Sequence, residues 1–163
     1  MEIVSNEAYV SFELAILLKE AGFDWECRCY YETSGKLRGK NSGSFSNHNS
    51  PFIWQNNGNT ETQLYSSPTI DVAQRWLREV KLISVEINVI RWFNRYQTNE
   101  CTIFWKYIIL SIDTSSQEAF YRIVDIDNGF EFNTCEEASE AGVKKALKII
   151  TSKQWKSLVK ETV

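Results

Sequence analysis

Four cysteines and one histidine are the residues of this chain best suited to binding a metal or attacking a carbonyl, and their spacing argues against both. Cys27 and Cys29 stand two apart, while Cys101 and Cys135 are distant, so no CxxC or HxxxH knuckle exists for zinc. On a strand, Cys27 and Cys29 share one face, where thiols pack as small apolar groups. His48 lies between Asn47 and Asn49, and any Cys–His or Ser–His catalysis would have to use it. A solvated loop ring is the simpler expectation. Asp125-Ile-Asp-Asn-Gly129 has the acid spacing that opens a calcium loop, but glycine occupies the fifth position and the twelfth, Glu136, begins a helix. A turn is expected there instead. The seven glycines form neither GxGxxG nor GxxxxGK, which removes a phosphate cradle. The expectation is a non-enzymatic protein with no catalytic residue, no metal and no cofactor.

A second constellation is suited to binding. Arg91-Trp-Phe-Asn-Arg-Tyr96 and Phe104-Trp-Lys-Tyr107 flank one strand connection. Rings interleaved with cations are the components of a platform that stacks a base and holds its phosphate. The candidate ligand-binding residues are therefore Arg91, Trp92, Arg95, Tyr96, Trp105 and Lys106. The competing explanation is that one strand face is core and the rest shields it. Alternation prevents Trp92 and Phe93 from being buried by the same layer, so one of them is expected at the surface.

The elements that must position these residues follow from periodicity. In Ser67 to Val80, Thr69 reads as an N-cap and Asp71 sits at the positive end of the dipole. Val72, Ala73, Trp76, Leu77 and Val80 form an apolar stripe at helical spacing, expected to cover the sheet that follows. Upstream, Ser11 caps a helix over residues 12–21, with Phe12, Ala15, Ile16 and Leu18 inward, Gly22 as its left-handed cap residue and Phe23 as the hydrophobic partner. Residues 27–32 read as a short strand. Residues 33–63 turn rich in Ser, Asn, Gly and Thr and read as a long polar loop, with a short strand expected at Pro51-Phe-Ile-Trp54 and another near Gln63 to Ser66.

Downstream, residues 82–92 alternate strictly, with Ile83, Val85, Ile87 and Val89 on one face. Further strands are expected at 102–112 and 119–126, then an Asn128-Gly129 hairpin leading to Phe130–Phe132. Thr134-Cys-Glu-Glu137 is a capping box for a helix reaching about Ile150. Ser152 starts a C-terminal helical extension over 151–163, with Trp155, Leu158 and Val159 on one stripe. The fold class is α+β: one domain over 1–163, with an antiparallel sheet of about four to five strands packed against two main helices.

A net charge of -3 attracts neither nucleic acid nor anionic lipid. From Asp113 to Glu140 there are eight acids against Arg122, and from Val143 to Val163 six lysines against Glu161. Dipole complementarity in the last helix explains this, with a self-complementary homo-oligomer contact as the competitor. No signal peptide and no 18-residue apolar run are present, which points to a reducing cytoplasm and no membrane partner.

Three segments carry a resemblance: Tyr9-Val-Ser-Phe-Glu-Leu-Ala-Ile-Leu-Leu-Lys-Glu-Ala-Gly-Phe23, Pro68 to Glu79 with Ala73-Gln-Arg-Trp-Leu-Arg-Glu79, and Glu136-Glu-Ala-Ser-Glu-Ala-Gly-Val-Lys-Lys-Ala-Leu147. In that order they resemble small uncharacterised proteins of phages and prophages infecting Bacteroides-type gut bacteria, over about the first 150 residues. The resemblance implies a mobile-element origin and a host-cytoplasm setting, and supplies no activity. Three binding functions are expected from these readings: sequestering a small anionic ligand such as a host nucleotide signal, blocking a host protein or joining a virion, or binding nucleic acid. The order helix–strand–strand–strand–helix from Thr69 onward is also that of double-stranded-RNA-binding domains. Glu136, Glu137 and Glu140 stand where such domains place lysines, which disfavours the last function.

Overall fold

In the computed structural model, which describes residues 9–39, 64–93, 101–113, 120–126 and 132–152, Ser11 caps the first helix as its sequence requires. The Ser11 side chain accepts from the Leu14 N–H, and α1 runs Phe12–Glu20. Its end is a Schellman motif: Gly22, at φ +86°, donates to Lys19 O and Phe23 donates to Leu18 O. The buried face is Leu14, Ala15 and Leu18, whereas Phe12 and Ile16 are half-buried. The chain divides into two compact units, residues 1–76 and 77–163, with the division falling inside the second helix.

The first unit holds a small sheet of β1 (Cys29–Tyr31), β2 (Leu37–Gly39) and β3 (Tyr65–Ser67) in the order β2-β1-β3. Both outer strands run antiparallel to β1, and therefore parallel to each other, so no hairpin can join them. β2 falls inside the stretch expected to be a polar loop. The turn before it explains why: Gly35 donates to Glu32 O, Glu32 donates to Lys36 O, and Gly35 takes φ +76°. That is a tight hairpin with a left-handed glycine. A three-residue strand is too short to leave an alternation signal. The expected strand near residue 63 is present as β3, and the one at residues 51–54 lies outside the described residues.

Three rings hold α1 to this sheet. Phe12 lies 5.3 Å from Tyr31 and 5.5 Å from Tyr65, centroid to centroid. The Tyr31 hydroxyl donates to Val10 O at 2.9 Å.

The second helix, α2 (Ile70–Val80), begins where Thr69 Oγ1 accepts from the Val72 N–H. Ala73, Trp76 and Leu77 are fully buried, but Val80 is 47% exposed. Within the first unit, Trp76 meets the Phe23 ring edge-on at 5.3 Å. Leu82, at φ +55°, turns the chain from α2 into the next strand, and its carbonyl accepts from the Ile112 N–H at 2.7 Å.

The second unit is a sheet of β4 (Ile83–Phe93), β5 (Cys101–Asp113) and β6 (Phe120–Ile126), in the order β4-β5-β6, all antiparallel. Its cover is α3 (Cys135–Thr151). Thr134 Oγ1 accepts from the Glu137 N–H at 3.1 Å, and the Glu137 carboxylate accepts from Asn133 N–H at 3.2 Å, one residue earlier than in a standard capping box. α3 turns Ala138, Ser139, Gly142, Val143, Ala146, Leu147 and Ile150 inward. A Cβ built on Gly142 would stand 2.6 Å from Val85 Cγ1 and 2.9 Å from Tyr107 Cβ, so helix and sheet touch there at backbone distance. Ser152 ends α3, its hydroxyl donating to Ile149 O, and the rest of the expected extension lies outside the described residues.

The α+β class and the antiparallel pairing stand. The single sheet of four to five strands under two main helices does not: the described residues form two three-stranded sheets and three helices. Alternation identifies a strand but does not say which sheet it joins. Among the described residues, no helix is long and apolar enough to cross a membrane.

Gly142 gives the sharpest test of this packing. Alanine raises helix propensity by about 1 kcal/mol, but here its methyl group must displace a β-branched side chain and a strand Cβ. Gly142→Ala is expected to destabilise the protein by about 1–3 kcal/mol in urea unfolding, and Gly142→Val by more. Unchanged or raised stability in the alanine variant would contradict the close approach.

Candidate functional site

The aromatic-basic residues sit on the far half of the β4–β5 pair, and strand register divides them. Arg91 lies opposite Ile103, Val89 opposite Trp105, and Lys106 opposite Asn88. Directly opposed residues share a face, so Arg91, Val89, Ile103 and Trp105 are on one side of the sheet and Lys106 is on the other. The first side is also that of Val85 and Tyr107, against which Gly142 packs. Arg91 and Trp105 are diagonal neighbours there, a separation of about 7–8 Å between backbones. Trp92 pairs in register with Thr102. Arg95 and Tyr96 lie outside the described residues. The structure therefore brings Arg91 and Trp105 together and separates both from Lys106.

Length explains why this half of the sheet is open. At about 3.4 Å per residue, the 11 residues of β4 span roughly 37 Å, whereas the 17 residues of α3 at 1.5 Å each span roughly 25 Å. The helix cannot cover the whole face. Ile83 is fully buried and Val85 is 9% exposed, but Val89 and Ile103 reach 47% and 50%. Val89 shares a face with Ile83, Val85 and Ile87, as expected, but lies at the exposed end of that face. Periodicity assigns a residue to a face but not to the covered end of that face. The aliphatic members of the patch, Val89 and Ile103, were missed for that reason. Comparing strand length with helix length was the one signal that could have found them.

The described ring–cation contacts lie in the first unit. Lys19 Nζ stands 4.9 Å from the Tyr65 ring centroid and donates to Leu64 O at 2.8 Å. Arg75 lies 5.6 Å over the Trp25 ring. Lys19 is committed to holding the start of β3, a structural task.

Two of the thiols behave as core, while Cys135 is half-buried. Cys27 and Cys29 are buried, and burial is the main cause that pushes the Cys27 thiol up from 9.0 to about 12, with the neighbouring Cys29 adding to it and a Ser66 hydrogen bond opposing it. A thiol so raised is a poor nucleophile. Among the described residues, no group of three His, Cys, Asp or Glu could hold a metal ion. His48 lies outside them. At the start of α3, Glu136 and Glu137 are exposed, and Lys145 pairs with Asp125 at 3.1 Å. An acidic helix start repels a phosphate backbone.

No family model matches this chain, and neither a curated protein nor a solved structure does.

The Cys27 shift has a measurable consequence. Its folded-state value lies above the unfolded one, so the stability it contributes is complete below about pH 9 and is lost as pH rises toward 12. Urea unfolding between pH 8 and pH 11 is expected to show stability falling above pH 9, by up to about 1.4 kcal/mol per pH unit from this group. Cys27→Ser should flatten that decline. An equally steep decline in the serine variant would place its cause elsewhere.

Proposed function

We propose that this chain is a phage or mobile-element accessory protein that acts by binding, and that its contact surface is the far half of the β4–β5 hairpin on the α3 side. The observation that carries this reading is one exposed face on which Val89 and Ile103 flank Trp105 and Arg91. Trp and Arg beside aliphatic residues are the composition of an interface centre. The surface is an open strand pair, whereas small-molecule sites are typically concave. A host protein, or a component of the virion, is the partner class that fits best. The cytoplasmic setting and mobile-element origin rest on the sequence resemblance.

A second reading is favoured by the Arg91–Trp105 diagonal. A planar anionic ligand, such as a nucleotide, would stack on the indole and place its phosphate by the guanidinium. Lys106, on the opposite face, contributes nothing to that clamp. The acidic start of α3 leaves nucleic acid as the weakest of the three functions.

The test combines capture and titration. A partner retained by the wild type from a host lysate is expected to bind Arg91→Ala and Trp105→Ala at least about tenfold more weakly, while Lys106→Ala binds normally. Saturable quenching of Trp fluorescence by nucleotides, lost in Arg91→Ala, would decide for the small ligand. Binding that survives both the Arg91 and Trp105 changes would remove this surface from consideration.

A further inference from the structure

The outer edge of β4 is a row of backbone donors and acceptors whose direction can be derived. Trp105 exchanges both of its backbone hydrogen bonds with Phe132, on the β6 side of β5. Alternation then directs Phe104, Lys106, Ile108 and Leu110 toward β4, and Ile112, which donates to Leu82 O, follows the same parity. Their register partners on β4 are Ile90, Asn88, Glu86 and Ser84. The N–H and C=O groups of Ile87, Val89 and Arg91 therefore point away from β5, to the edge where no described strand pairs.

The two edges of this sheet are not alike. On the β6 side, the ladder is broken by a register shift at Ile109/Leu110 and continued by the Phe132 bridge. Bulges of this kind discourage edge pairing. β4 is regular over 11 residues, with no register shift against β5 and neither Pro nor Lys in its sequence. On the α3 side its exposure rises along the strand, from 9% at Val85 to 47% at Val89, with Arg91 exposed beyond. An edge without such protection is a template for another strand.

We infer that β4 pairs antiparallel with β4 of a second copy about a two-fold axis at Val89, giving one continuous six-stranded sheet. Parity restricts the register to pairs of odd-numbered residues across the new ladder. An axis at Val89 uses only the open part of the edge: Val89 faces Val89 of the second copy, Ile87 faces Arg91, and Asn88 faces Ile90. No like charges are opposed, since Glu86 and Arg91 are the only charged residues of β4 and each meets an uncharged one. Two aliphatic side chains meet at the axis, and the Arg91 stem lies along Ile87. The axis is perpendicular to the sheet, so the Arg91–Trp105 patches of the two copies come to lie on the same side. The inference does not depend on which partner that patch binds.

The full-length protein, at a series of concentrations in multi-angle light scattering, is expected to move from 19.0 kDa toward twice that mass. Val89→Pro removes a donor that points outward and leaves the β4–β5 ladder intact, and is expected to weaken the dimer about tenfold or more. Val89→Asp sets like charges face to face at the axis and should also give a monomer, with circular dichroism unchanged because the residue is half exposed. An equimolar mixture of Val89→Asp and Val89→Lys should recover the dimer, which only an axis at this residue requires. A monomeric wild type throughout the series, or a mixture no more associated than its components, overturns the inference. Loss of partner capture in Trp105→Ala, at a residue of β5 away from the new ladder, with the dimer intact leaves the two conclusions separable.

Discussion

The second unit depends on how closely α3 approaches the sheet. Gly142 has no side chain to hold the two layers apart, and Val85 and Tyr107 fill the space that a Cβ would occupy. Ala138, Ser139 and Ala146 extend the same narrow stripe along the helix. Close contact of this kind multiplies small dispersion gains over many atoms and excludes water from Ile109 and Ile83, both fully buried. It also fixes which end of the sheet is covered. The far end is left open because a rise of 1.5 Å per residue cannot match 3.4 Å.

The first unit is held by different means. Its strands have three residues each and bury little by themselves. Side chains do the joining instead: Phe12 against Tyr31 and Tyr65, Phe23 against Trp76, and Lys19 reaching the Leu64 carbonyl. Each ring buries a large area for few fixed torsions, which suits a sheet with so few ladder bonds. Of these five rings, Phe23 and Trp76 are fully buried and the other three are half-buried.

The candidate site has a simple electrostatic character. The one cation of the Val89–Ile103–Trp105 patch, Arg91, stands among aliphatic and aromatic groups, and Lys106 faces the other way. Such a surface selects partners by shape and apolar area, with a single charge to orient them. Phosphate-rich polymers need several cations in register, and here the nearby helix begins with acids.

What the sequence determined by itself is local. The Ser11 and Thr134 caps, the Gly22 turn with Phe23, the helix at residues 70–80 and the three long strands all follow from nearest-neighbour chemistry, in which a side chain satisfies a backbone group a few residues away. The tertiary structure decided which strands share a sheet, that Trp76 packs against Phe23, and that Val89 is exposed although it alternates in phase with buried Ile83. Those outcomes rest on contacts between residues far apart in the chain, and on the relative lengths of elements that periodicity describes one at a time. The separation of Arg91 from Lys106 lay between the two cases. Alternation made it readable within each strand, but only the register of β4 against β5 placed both residues in one frame.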